Sequence, residues 1–139
     1  MTGFGYAGDI TPEDAWQKLE SDESAQLIDC RTVPEWQFVG VPDLHHLGKE
    51  TILVDWQVYP QMAVRGDFAD HINHRIPDKD ATVLVLCRSG VRSIAAAQAL
   101  TQAGYQNAYN VLDGFEGQLD AAGHRGAGGW KAAGLPWRQ

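Results

Sequence analysis

The sequence predicts an α/β fold built on a mostly parallel sheet. Short apolar runs, above all Leu27-Ile28 and Val83-Leu84-Val85-Leu86, lack polar alternation, as strands covered on both faces do. Segments with helical character lie between such runs, so strand and helix alternate along the chain. The first run ends on charged residues, Asp29 and Arg31. Ligand sites in open α/β sheets collect at the carboxyl ends of strands.

Taken in order, Thr11-Pro12-Glu13-Asp14 starts a helix, with a capping hydroxyl, proline at the first helical position and an acid in the first turn. Ala15, Trp16 and Leu19 follow at helical spacing, and Ser21-Asp22-Glu23-Ser24 breaks the pattern. Ala25 to Cys30 reads as a short buried strand, and Thr51-Ile52-Leu53-Val54 as a second. The stretch from Asp55 to Gly66 is mixed and is expected to be loop. Phe68 to Ile76 has the character of a short helix ended by Pro77.

Thr82 to Leu86 is the strongest strand, β-branched and apolar. The run Ser93-Ile94-Ala95-Ala96-Ala97-Gln98-Ala99-Leu100 is a helix with many small residues, able to lie close against a sheet, and Gly104 is its stop. Asn107 to Val111 is a further strand, from which Asp113-Gly114 turns away. Residues 123–129 (GHRGAGG) read as an exposed loop, and no internal repeat is visible.

A length of 139 residues suggests one domain, residues 1–139 with a core from about 9 to 137, large enough to bury a core without staples. The net charge of -7 argues against a phosphate-backbone binder, so nucleic acid is not an expected partner. Two cysteines, Cys30 and Cys87, make neither a disulfide framework nor a cysteine-built zinc site. Met1 to Tyr6 carries no basic segment and no apolar run of signal length, and no stretch approaches membrane-spanning length. A soluble cytoplasmic protein with reduced thiols is the expectation, with no membrane partner and no cofactor.

The chemistry concentrates where the strongest strand meets the small-residue helix, at Cys87-Arg88-Ser89-Gly90-Val91-Arg92. A loop entering a helix turns several backbone N–H groups toward its concave side. Helix N-termini hold anions and favour thiolates through those N–H groups and the helix dipole. Arg88 and Arg92 add positive charge at the same place, and Gly90 permits a backbone conformation that other residues resist. The expected product is an anion cradle around a reactive thiolate. An inert buried thiol is the plainer reading of a lone cysteine at a strand end. The arginines, the glycine and the helix crowded around Cys87 argue against it.

The segment Val83 to Ser93 (VLVLCRSGVRS) resembles the active-site segment of rhodanese domains. Leu27-Ile28-Asp29-Cys30-Arg31 with Glu35-Trp36 resembles the family's early Asp-x-Arg…Glu-aromatic signature. Asn110 to Phe115 (NVLDGF) and Gly129 to Pro136 (GWKAAGLP) resemble the strand and turn after the active-site helix and the C-terminal ending. These pieces stand in family order.

The resemblance implies a five-stranded, mostly parallel sheet with helices on both faces. It also implies a sulfurtransferase that moves a sulfane sulfur from thiosulfate or a persulfide donor to a thiol or cyanide, with a sulfur-carrier protein as a further conceivable partner. Cys87 would be the nucleophile and become a persulfide. The loop residues Arg88, Ser89, Gly90, Val91 and Arg92 would bind the donor and the persulfide anion. Asp29, Arg31 and Ser93 would support the loop. Related phosphatases and arsenate reductases place the arginine six residues after the cysteine, whereas Arg92 stands five after Cys87, a narrower cradle suited to a sulfur anion. A non-catalytic docking module is a further alternative, against which the intact cysteine argues.

Two stretches depart from the family, residues 44–77 and an insertion at 116–128. Both could shape access to the site, with Trp56, Tyr59 and Met62 as an apolar wall, although plain packing of these side chains is the simpler expectation. The family's strand order would make the strands of Cys30 and Cys87 neighbours. Cys30 is then either a small core residue or a resolving thiol. His45-His46 and His71…His74 supply no convincing ligand set and read as surface residues.

Overall fold

The computed structural model describes residues 5–139. Strand β1 (Gly8–Ile10) leads into Thr11, whose hydroxyl accepts from the Asp14 backbone N–H at 3.1 Å. With Pro12 in the first turn, this cap starts α1 (Pro12–Ser21). The chain continues through β2 (Gln26–Asp29), α2 (Val33–Phe38), β3 (Val41–Pro42), a 3-10 turn (His45–Leu47) and β4 (Ile52–Leu53). Then come β5 (Gln57–Val58), β6 (Ala63–Val64), α3 (Phe68–Arg75), β7 (Val83–Leu86) and α4 (Arg92–Gln102). Last are β8 (Ala108–Val111), α5 (Gly129–Ala132) and β9 (Trp137–Arg138).

Five strands form the main sheet in the order β1-β8-β7-β2-β4, every neighbouring pair parallel. The order puts β7 in the middle, where all its residues are buried. Its uninterrupted apolar run follows from that position, since successive side chains enter opposite cores. Ile28, Val83 and Val85 meet Phe68 and Ile72 of α3 and Ala96, Ala97 and Leu100 of α4. Leu27, Leu84 and Leu86 meet Ala15 and Leu19 of α1 and Trp130 of α5. The small residues of α4 let its axis lie close to the sheet, and Gly104, at φ 109°, ends it as expected.

The parallel register pairs Asp29 with Leu86, and the Cys30 N–H donates to Leu86 O at 2.9 Å. Cys30 and Cys87 therefore stand side by side just past the ends of neighbouring strands, both in the α3/α4 core.

The stretch expected to be loop between Asp55 and Gly66 instead forms an antiparallel hairpin, β5 with β6. Gln57 Nε2 donates to Met62 O at 3.1 Å and Met62 N to Val58 O at 2.7 Å, while Met62 takes a left-handed φ of 58° to close the turn. Short-range turn bonds of this kind leave no hydrophobic period to read. Trp56 packs edge-on against Phe68 at 5.2 Å, so it serves the core. Tyr59 and Met62 are exposed and stand outside the packed core. The glycine-rich stretch 123–129 is largely exposed, but its last residue, Gly129, is buried and opens α5. β9 pairs antiparallel with β3, closing the chain end against α2's exit. Among the described residues no helix is long and apolar enough to cross a membrane.

Candidate active site

Cys87 follows β7 at the carboxyl edge of the sheet, and its side chain is buried at the floor of the loop 88–91. The loop is held in place by the turn after β8. Phe115 N donates to Cys87 O at 2.8 Å and Glu116 N to Arg88 O at 2.9 Å. Gly114 makes this contact sterically admissible: a Cβ there would sit 2.2 Å from Cys87 O, and its φ of 56° is left-handed. Gly90, at φ 91°, turns its N–H inward to donate to Cys87 Sγ at 3.1 Å. The loop then enters α4, whose N-terminus has no side-chain cap; Ile94 N already bonds Val91 O at 3.2 Å, which leaves the earlier N–H groups of the loop and first turn for an anion.

A hydroxyl also approaches the sulfur from α4. Ser93 Oγ lies 3.2 Å from Cys87 Sγ and also hydrogen-bonds Asn110 Oδ1 on β8. Asn110 Nδ2 donates to Asp9 Oδ1 at 3.0 Å, and the Tyr6 hydroxyl donates to the same oxygen at 2.8 Å. Burial, with Asp9 beside it, pushes Tyr6 up to about 12.

The two loop arginines differ. Arg88 is exposed and forms no ion pair among the described residues. Arg92 makes a bidentate pair with Glu35 of α2, Nη1 to Oε1 at 2.8 Å and Nη2 to Oε2 at 3.0 Å. Burial opposes the charge on both, but the Arg92 bonds and charge hold Glu35 below the usual carboxylate range. Glu35 and the nearby Cys87 hold Arg92 up. Glu35 Oε1 also accepts from Thr32 N at 3.2 Å and Thr32 Oγ1 at 2.9 Å. Arg92 is thus a positioned wall of the site, already satisfied by protein.

Asp29 and Arg31 form a fully buried pair beneath the loop. Arg31 Nη2 reaches Asp29 Oδ2 at 2.7 Å and also donates to Gly40 O, while the guanidinium lies 4.2 Å from the centre of the Phe115 ring. Phe115 is the residue whose N–H holds Cys87 O, so the pair packs against a residue that anchors the loop. Burial, then the neighbouring Cys87 and Asp29, push the Cys30 thiol well up, which keeps it protonated and a poor nucleophile. Cys30 and Cys87 are both free thiols.

The insertion after Phe115 folds on itself, with Asp120 Oδ1 accepting from Ala122 N and His124 N, each at 2.9 Å. Its first residue, Glu116, touches the active-site loop by donating its N–H to Arg88 O at 2.9 Å. His45, His46, His71 and His74 are exposed, and no metal-binding cluster occurs among the described residues. Glu35, Asn110 and Asp9 had no assigned role from sequence. Of these, Asn110 alone is a buried polar residue on a core strand and so offered a signal; Asp9 is exposed and Glu35 partly buried, and nothing local marks them.

The STR4 middle domain family matches residues 7–139. The crystal structure of Rv0390 from M. tuberculosis superposes with a TM-score of 0.89 at 54% identity, covering 96% of this chain and 98% of that one. An uncharacterized protein of Rickettsia conorii is 40% identical over 130 residues, 93% of this chain and 95% of that protein. The thiosulfate sulfurtransferase GlpE of Actinobacillus succinogenes is 30% identical over 128 residues, 92% of this chain and 87% of that protein.

Proposed function

Since the chain belongs to the STR4 middle domain family and is rhodanese-like, we propose that it is a sulfurtransferase that carries a sulfane sulfur on Cys87. The carrying observation is the sulfur's setting. Cys87 Sγ lies at the N-terminus of α4, 3.1 Å from Gly90 N, with an exposed arginine, Arg88, that is unpaired among the described residues. A site of this kind receives a dianionic donor and stabilises negative charge beyond the Cys87 sulfur.

In the first half-reaction the Cys87 thiolate attacks the outer sulfur of thiosulfate or of a persulfide donor. The donor's S–S bond breaks, and sulfite or a thiolate leaves with the electron pair. The new terminal sulfur carries its charge toward the amides of residues 88–92. In the second half-reaction a thiol or cyanide attacks that terminal sulfur and returns the Cys87 thiolate. Two covalent half-reactions at one residue give ping-pong kinetics. Arg88 meets the donor, Arg92 walls the cradle through Glu35, and Asp29, Arg31 and Ser93 support it. Reduced thiols suit a cytoplasmic setting.

The spacing from Cys87 to Arg92 favours sulfur over phosphate chemistry, because a shorter loop encloses a smaller anion. Steady-state rates with thiosulfate and cyanide test the proposal. Parallel double-reciprocal lines, lost in Cys87→Ser, are expected. Intersecting lines, or turnover retained by Cys87→Ser, would refute the covalent mechanism.

A further inference from the structure

The polar chain behind Cys87 contains a proton shortage. Ser93 is fully buried and Asn110 nearly so, and Ser93 Oγ touches two acceptors, Cys87 Sγ and Asn110 Oδ1. A serine hydroxyl has one proton to donate. Which acceptor receives it depends on how the Asn110 amide is turned. Asp9 settles the orientation. Its carboxylate oxygen only accepts, so the Asn110 amide must present Nδ2 to Asp9, at 3.0 Å, and Oδ1 to Ser93. Tyr6, donating to the same Asp9 oxygen at 2.8 Å, is a second donor that holds the carboxylate in place.

We infer that Asp9 and Asn110 are positioning residues that draw the Ser93 proton away from Cys87, so that the site favours a sulfur-loaded Cys87 over the free thiolate. The inference rests on Cys87 being the sulfur carrier. With the Ser93 proton on Asn110, the Ser93 oxygen turns a lone pair to Sγ. That arrangement suits a thiol, whose S–H can donate to Ser93. It also suits a persulfide, whose Sγ is neutral and whose charge lies on the outer sulfur. A thiolate at Sγ is different: either Ser93 turns its proton to sulfur and leaves Asn110 Oδ1 buried without a donor, or the thiolate forgoes that bond. Leaving a buried acceptor unpaired is costly. The geometry follows from register: Asp9 and Asn110 are direct partners on neighbouring parallel strands, and Ser93 sits in the first turn of α4.

Iodoacetamide alkylation of Cys87 across pH 5–9, followed on the Cys87 peptide by mass spectrometry, reads this directly. Asp9→Asn lets the residue 9 amide offer either end, so Asn110 can turn and release the Ser93 proton to the thiolate. The expected result is alkylation about tenfold faster at acidic pH, the worth of one charge-assisted hydrogen bond. Asn110→Leu, which removes the competing acceptor, should move the profile the same way. In a Ser93→Ala background Asp9→Asn should change nothing. An unchanged profile in both single variants would overturn the inference. So would an equal shift with and without Ser93, since loss of a distant negative charge would act in either background. Circular dichroism of each variant confirms that the readout comes from folded protein.

The persulfide arm is separate. At a fixed thiosulfate-to-sulfite ratio, the loaded-to-free ratio of Asp9→Asn should fall about tenfold against wild type. Wild type that never loads would sink the sulfurtransferase reading, while the alkylation profiles would still judge the relay.

Discussion

Glu35 and Arg92 stand 57 positions apart in sequence and close a two-pronged ion pair at 2.8 and 3.0 Å beside Cys87. The pair ties α2 to the first turn of α4, and so joins the chain that leaves β2 to the loop that leaves β7. Glu35→Gln should lower stability at neutral pH by roughly 1.5–3 kcal/mol, the range for hydrogen bonds to charged groups. The folded Glu35 titrates below its ordinary value of 4.5. Its contribution is therefore complete above that value and is lost as pH falls through the lower folded one. Urea midpoints from pH 7 to pH 3 should show the gap between wild type and Glu35→Gln closing on acidification; a gap independent of pH would contradict the assignment.

The two loop arginines should separate binding from stability. Arg88 is exposed and unpaired among the described residues, so Arg88→Ala should raise the Michaelis constant for thiosulfate and leave the melting temperature within a degree or two, as surface changes of about 0.5 kcal/mol do. Arg92→Ala strands the partly buried Glu35 and should lower both affinity and stability. Arg92→Lys keeps the charge but cannot span both carboxylate oxygens, so it should recover stability only in part. Thermal melts alongside kinetics decide; equal effects of Arg88→Ala and Arg92→Ala on stability would be the wrong outcome.

Gly114 should be the least replaceable glycine near the site. A Cβ there would collide with Cys87 O at 2.2 Å and Arg88 C at 2.7 Å, both backbone, in a left-handed conformation. Gly123 is also left-handed, at φ 80°, but has nothing within 4 Å. Gly123→Ala should cost only the backbone term, about 1–2 kcal/mol. Gly114→Ala should cost clearly more, and should depress sulfur loading in the molecules that remain folded. Similar unfolding midpoints for the two would show that the turn does not clamp the loop.

Arg31 and Asp29 are fully buried, so removing one leaves the other as an uncompensated charge. Arg31→Ala should cost about 3–5 kcal/mol, and Arg31→Lys should rescue little because one ammonium cannot replace the fork and the Phe115 stacking. Chemical denaturation checks both. A mild Arg31→Ala effect would mean that the pair does not brace the loop.

Much of this architecture was legible in the chain. Val83 to Leu86 announced a central strand because burial on both faces removes polar alternation. Thr11-Pro12 announced α1 because cap chemistry is local, and the cap bond is present. Cys87, Gly90 and the helix after them announced the cradle for the same reason: adjacent residues build it.

What stayed hidden depends on residues distant in sequence. Arg92 reads as a donor-binding cation, and its pairing with Glu35 could not be read because α2 lies far away in sequence. Asn110 reads as an ordinary strand residue until β1 sets Asp9 beside it and α4 sets Ser93 above it. The β5–β6 hairpin escaped notice because two-residue strands carry no period. From sequence Cys30 reads as either a core residue or a resolving thiol. It lies beside Cys87 in register, and its burial disfavours the thiolate a resolving role would need.

The central claim, a sulfane sulfur carried on Cys87, is tested most directly by intact-protein mass after incubation with thiosulfate, before and after cyanide, for wild type and Cys87→Ser. The account predicts the gain of one sulfur on wild type alone, removed by cyanide. A gain on Cys87→Ser, or no gain on folded wild type with thiosulfate and with a persulfide donor, would contradict it.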